Sequence, residues 1–88
     1  MSWVISYRSS VEKDLARLPQ QVRVLMLKKC VELGDNPFPP GCKKLKGAET
    51  RYRLRVAGEY RLVYSLFSDD RIIKIEFAGH RKDAYRWF

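Results

Sequence analysis

Eighty-eight residues carry eighteen Lys and Arg against ten Asp and Glu, a net charge of +8, with 45% hydrophobic side chains. That length leaves no room for a second core, so residues 1–88 read as one domain. The apolar fraction is too high for a disordered tail, and the apolar runs are far too short to span a membrane. The charge is unevenly spread: residues 1–42 hold six basic and four acidic side chains, residues 43–88 twelve and six. A field of this sign attracts phosphate-rich polymers or an acidic partner. Cys30 and Cys42 are too few for a disulfide framework and have no metal-ligand spacing. The start, Met1 to Arg8, lacks a basic region followed by an apolar one, so no signal peptide is expected. The expected compartment is the reducing cytoplasm.

Residues 2–7 are rich in β-branched and aromatic types and predict a strand. Ser9 followed three residues on by Glu12 has the form of a capping box. Val11, Leu15 and Leu18 then recur at helical spacing, and Pro19 closes the helix. A second helix is predicted over 20–33, with Val22, Leu25, Met26, Cys30 and Leu33 as its buried stripe and Gly34 as its stop. Pro37, Pro39 and Pro40 make 35–41 a loop, and 43–50 is basic and without clear structure. From Arg51 the period changes to two. Strands are predicted over 51–56, 60–67 and 71–78, joined by Ala57-Gly58-Glu59 and Ser68-Asp69-Asp70 and ended by Gly79. The expected fold class is α+β. An N-terminal strand and a helical hairpin precede a three-stranded antiparallel meander, in one small sheet with helices on one face and a short C-terminal helix or tail.

The hairpin has a consequence for charge. If Val56 pairs with Tyr60, Arg55 lies opposite Arg61, and Arg53 lies opposite Val63. Tyr52, Leu54, Val56, Tyr60, Leu62, Tyr64 and Leu66 then form the core face. Arg51, Arg53, Arg55 and Arg61 share the other. Like charges directly opposite each other destabilise a sheet by up to about 1 kcal/mol. Basic side chains also protect sheet edges, but four arginines on one face suit a bound phosphate, which guanidinium groups grip with paired hydrogen bonds. In the tail, Arg81 and Tyr85 are four apart and share a face if the tail is helical. A guanidinium and an aromatic ring suit the phosphate and base of a nucleotide; Tyr85 equally suits an amphipathic anchor over the sheet. His80, the lone histidine, is either a proton carrier or an ordinary hydrogen-bonded residue. No Asp, Glu, His or Cys cluster has metal-ligand spacing, so neither a metal nor another cofactor is expected.

Leu45-Lys46-Gly47, Tyr52-Arg53-Leu54-Arg55-Val56, Tyr60-Arg61-Leu62-Val63-Tyr64 and Gly79-His80-Arg81-Lys82-Asp83-Ala84-Tyr85-Arg86, in this order, resemble the RelE family of bacterial toxin endoribonucleases. The likeness covers nearly the whole chain. It implies a toxin of a type II toxin–antitoxin pair, cutting messenger RNA in the ribosomal A site without a metal and neutralised by a cognate antitoxin. The family's functional positions fall on Arg53, Arg55, Arg61, Arg81 and Tyr85. Arg61 would stabilise the phosphorane, with Arg53 and Arg55 holding the RNA backbone and Arg51 and Lys46 adding to the phosphate-binding surface. Arg81 would bind phosphate or assist the leaving group, and Tyr85 would stack on or orient a base. Some members carry lysines where this chain has Arg53 and Arg55, and arginine is no general base. His80 is the first candidate by intrinsic pKa, and Tyr85 the second. Glu59 and Glu76 could also serve as the base, but each is expected to pair with a neighbouring arginine. A +8 chain suits an acidic antitoxin that folds around it. The competing readings are a ParE-like toxin acting on DNA gyrase, a non-catalytic nucleic-acid-binding module, and a degenerate toxin surviving only as an antitoxin partner.

Overall fold

The computed structural model describes residues 2–47 and 49–87. Its elements are β1 (Val4–Tyr7), α1 (Ser9–Ala16), α2 (Gln20–Leu33), β2 (Lys43–Lys44), β3 (Arg51–Val56), β4 (Tyr60–Phe67) and β5 (Ile72–His80). Two 3-10 turns follow, Arg81–Asp83 and Tyr85–Trp87. The sheet has the order β1-β5-β4-β3-β2. The β3–β4–β5 meander is antiparallel, β1 joins it parallel to β5, and β2 adds a short antiparallel edge beside β3. The α+β class agrees with the sequence, and the sheet gains β2 from a stretch whose two paired residues are too few to show a period.

The helical hairpin covers one sheet face. Val11 and Leu18 from the first helical segment, and Met26, Cys30 and Leu33 from α2, pack on Leu54, Val56, Leu62, Tyr64, Leu66, Ile73 and Ile75. Arg23 ties the two helices together: its Nε donates to the Leu15 carbonyl (3.0 Å) and its Nη2 to that of Leu18 (3.0 Å). The Leu15 carbonyl lies in the last turn of α1 and also accepts from the Leu18 N–H (3.1 Å), whereas Leu18 lies past the helix end. Two helix predictions need correction. Helix α1 starts at Ser9 itself, with Arg8 in the capping position and no side-chain cap bond, so the Ser9–Glu12 capping box does not form. Leu25 is 45% exposed, because the stripe that meets the sheet runs Val22, Met26, Cys30 and Leu33, and Leu25 lies about 100° away from Met26 around the helix.

The last strand carries the feature that positions the site. Val63 pairs with Phe77 and Tyr64 with Ile75, leaving Glu76 as the extra residue of a β-bulge. Up to Ile75, odd positions of β5 face the helices; beyond the bulge the parity reverses, so Ala78 joins the helix-side core and Phe77 the opposite face. A second, smaller core forms there from Leu45, Val63, Phe77 and Ala84, with Trp87 against it. Gly79 does not end the strand, which continues through His80. The β4–β5 turn also extends one residue further than predicted: Arg71 adopts a left-handed φ of 53° and lies outside the strand.

A β-carbon on Gly79 would lie 2.7 Å from Cζ of Phe77 and 3.2 Å from Cε1 of the same ring. Glycine therefore makes room for the ring that centres the small core. Gly79→Ala should lower stability by about 1–3 kcal/mol, the usual range for overpacking. Urea denaturation followed by circular dichroism measures it; an unchanged midpoint would show that the ring moves aside freely.

Candidate functional site

The β3–β4 register is the one the strand period predicts: Val56 pairs with Tyr60, Arg55 with Arg61, Arg53 with Val63 and Arg51 with Ser65. Arg53, Arg55 and Arg61 thus lie on the face away from the helices. The connecting loop is tight, with Ala57 (φ 50°) and Gly58 (φ 76°) both left-handed, as two-stranded ribbons favour. Its carbonyls turn towards Arg61, whose Nη1 donates to Gly58 O (2.9 Å) and Tyr60 O (3.0 Å). Arg61 is only 7% exposed.

Arg81 reaches the same loop from the end of β5. Its Nε lies 2.7 Å from Oε2 of Glu59, and its backbone N–H donates to the Glu59 carbonyl at 2.8 Å. The field at Arg61 records the convergence. Burial pushes its guanidinium below the ordinary arginine range, and Arg55, Arg53 and Arg81 push further the same way, with Glu59 opposing. Three cations therefore act on Arg61, and the nearby carboxylate is held by one of them. Cations fixed in this way are chemically suited to a charge-dense anion.

Other expected members lie elsewhere. Arg51 shares the sheet face but not the cluster: it bonds Ser65 Oγ (3.4 Å), approaches Glu76 Oε2 (3.7 Å) and stacks on Trp87 at 5.1 Å. Lys46 is exposed in the turn after β2. Tyr85 is 72% exposed. It does not share a helix face with Arg81, because the tail breaks into two 3-10 turns about Ala84, which is buried in the small core. His80 pairs with Tyr60 across the strands, and their rings meet edge to face at 5.3 Å. That is the helix side of the sheet, opposite Arg61. Its Nδ1 accepts from the Lys82 amide (3.2 Å). The imidazole lines a cleft of about 420 Å³ with Asp14, Arg17, Lys82, Asp83 and Arg86. One cation escaped the strand-period argument: Lys43 lies directly opposite Arg53. Only the pairing of β2 places it there.

A latch occupies the far end of this face. Glu76 accepts from Ser65 Oγ (2.8 Å) and pairs with Arg8 and Arg51. Arg8, Arg51 and Arg86 stand 5.5, 5.1 and 6.0 Å from the Trp87 ring. Among the described residues, no group of three or more His, Cys, Asp or Glu is placed to hold a metal ion.

The chain is 36% identical, over 90 residues and 98% of each chain, to the protein "Putative toxin RelE1" of Methanocaldococcus jannaschii. Its structure matches the archaeal RelE–RelB complex from Pyrococcus horikoshii with a TM-score of 0.79 at 30% identity, over 92% of this chain and 97% of that one. It matches a free arginine-to-alanine double variant of the Escherichia coli toxin RelE with a TM-score of 0.81 at 23% identity, over 99% and 94%. No protein-family model matches the chain. The fold is thus the RelE toxin fold, along essentially the full length. The chain belongs to the RelE family of toxins.

The Trp87 latch holds the tail that carries Arg81 and Tyr85. Trp87→Ala should remove about 1–3 kcal/mol of stability through lost burial and cation–π contact. It should also speed exchange of the Ala84 and Trp87 amides, which bond to Arg81 O (3.1 Å) and Ala84 O (2.9 Å). Amide hydrogen exchange at those two positions tests it, and parent-like protection would mean that the ring is not the anchor.

Proposed function

We propose that this chain is the toxin of a toxin–antitoxin pair and that its arginine face cleaves messenger RNA in the ribosomal A site. The observation that carries the reading is the convergence of Arg53, Arg55, Arg61 and Arg81 at one end of the sheet, with Arg61 largely buried and Arg55 directly opposite it. A fold does not need four mutually repelling guanidinium groups; a phosphate that gains charge in a transition state does.

In the proposed reaction the ribose 2′ oxygen attacks the adjacent phosphorus while the bond from phosphorus to the 5′ oxygen breaks. The 2′ proton passes to water, and the departing 5′ oxygen takes one from water. The products are a 2′,3′-cyclic phosphate and a free 5′-hydroxyl. Arg61 would take the equatorial oxygens of the phosphorane, with its guanidinium already oriented by two loop carbonyls. Arg53, Arg55 and Lys43 would hold the flanking backbone. Arg81 would face the leaving oxygen. Exposed Tyr85 is free to stack on a base.

No imidazole stands beside this cluster, since His80 faces the other side of the sheet with Nδ1 engaged. We therefore assign the chemistry chiefly to charge stabilisation by arginines that are always protonated, and His80 to holding the β5–tail junction. The Pyrococcus protein was solved in complex with RelB, and the RelB–RelE pair of Methanococcus jannaschii is an antitoxin–toxin complex. By the same logic this +8 chain would bind a net acidic antitoxin. Action on ribosomes would place it in the cytoplasm.

The test is to map mRNA ends after incubation with translating ribosomes, with a gyrase supercoiling assay in parallel. Arg61→Ala should lower the cleavage rate about 10²–10³-fold, the usual effect of removing one preorganised donor. His80→Gln should stay within a few-fold of the parent. New mRNA ends at parental frequency from Arg61→Ala would overturn the reading, and inhibited supercoiling without cut ends would replace it with a gyrase-directed one.

A further inference from the structure

The β3–β4 loop does more than join two strands. Gly58 O and Tyr60 O fix Arg61, and Glu59, one residue between them, grips Arg81 twice, through its carboxylate (2.7 Å) and its carbonyl (2.8 Å). Arg81 belongs to a 3-10 turn of three residues, too short to hold a long side chain by its own structure. Both carboxylate and guanidinium are 59% exposed. The pair on its own would add little stability in water, so its geometry matters more than its energy. Glu59 is also the acid that opposes three cations at Arg61.

We infer that Glu59 is the positioning residue of the site: it aims Arg81 at the scissile phosphate beside Arg61 and offsets one unit of the charge that the arginines place together. The inference rests on the ribonuclease reading above. It sets two effects of removing the carboxylate against each other. A more positive cluster binds polyanionic RNA at least as well, while a freed Arg81 meets the transition state less often in the right orientation. Loss of kcat without a rise in KM is the signature. A merely structural role would weaken both or lower stability.

The experiment uses the full chain, with ribosomes carrying a defined mRNA as substrate. Glu59→Gln should lower kcat about 10- to 100-fold, as misplacement of a catalytic group does, with KM unchanged or lower. Glu59→Asp should recover part of the loss. Glu32→Gln makes the same change in net charge on α2, where Glu32 pairs with Lys29, and should match the parent. Adding Glu59→Gln to Arg81→Ala should cost nothing further, because both act through one guanidinium. On the free protein, the Arg81 Nε–H resonance should shift in Glu59→Gln and not in Glu32→Gln.

An unmoved resonance sinks the inference whatever the rates do. So does a rise in KM at constant kcat, or a double variant slower than Arg81→Ala. If the parent cleaves and neither Glu59→Gln nor Arg81→Ala slows it, the inference is overturned while the ribonuclease reading stands. If the parent itself yields no cut ends, the ribonuclease reading has failed, and the resonance then reports only the grip on Arg81.

Discussion

One extra residue in β5 determines which side chains meet. Strict alternation from Ile73 and Ile75, both buried under the helices, would send Phe77 to the helices and His80 to the arginines. The bulge at Glu76 reverses that parity. Phe77 then seeds the small core on the far face, and Gly79 comes to lie opposite Arg61 without a β-carbon to crowd it. Glu76 itself turns to Ser65, Arg51 and Arg8. Bulges re-aim side chains beside functional sites in many sheets. Here the effect extends from the tail anchor to the mouth of the arginine cluster.

The cluster illustrates how a sheet tolerates repulsion. Arg55 and Arg61 face each other across the ladder, an arrangement unfavourable by up to about 1 kcal/mol. It persists because Arg61 is satisfied locally by two carbonyls and because Glu59 compensates the field through Arg81. The residual excess of positive potential is directed to one end of one face. On the proposed reading, a phosphate arriving there would relieve repulsion that folding has left in place, so affinity and strain would have the same origin.

Much of this was legible in the chain. Period two and a three-residue turn predict the β3–β4 register, and with it Arg55 opposite Arg61. The helical stripe of Val22, Met26, Cys30 and Leu33 is equally plain, although the spacing admits Leu25 as well, because a run of apolar residues does not say which one meets the sheet. Three features were hidden for physical reasons. Strand β2 pairs only two residues, below the length at which any period shows, so Lys43 went unnoticed. The bulge leaves no mark in composition, since Glu76 and Phe77 look like an ordinary polar–apolar step, so the sheet face that His80 takes is not legible in the sequence. The tail has helical spacing between Arg81 and Tyr85, but Ala84 is drawn into the small core, and burial there outweighs the continuation of a helix too short to stand alone.

The tail is where the two ends of the far face become coupled. At one end the Glu59 loop grips Arg81, and at the other Trp87 lies among Arg8, Arg51 and Arg86 over Phe77. Between these anchors only Ala84 is buried, and Tyr85 points outward. A segment anchored at Arg81, Ala84 and Trp87 holds its guanidinium in place while leaving the Tyr85 ring exposed to solvent. That division matches the demands of the proposed chemistry: the phosphate needs a fixed charge, whereas bases of different size need an adaptable stacking partner. Both anchors depend on the same sheet face, so a partner seated on the Trp87 end alone would loosen Arg81 without touching Arg61.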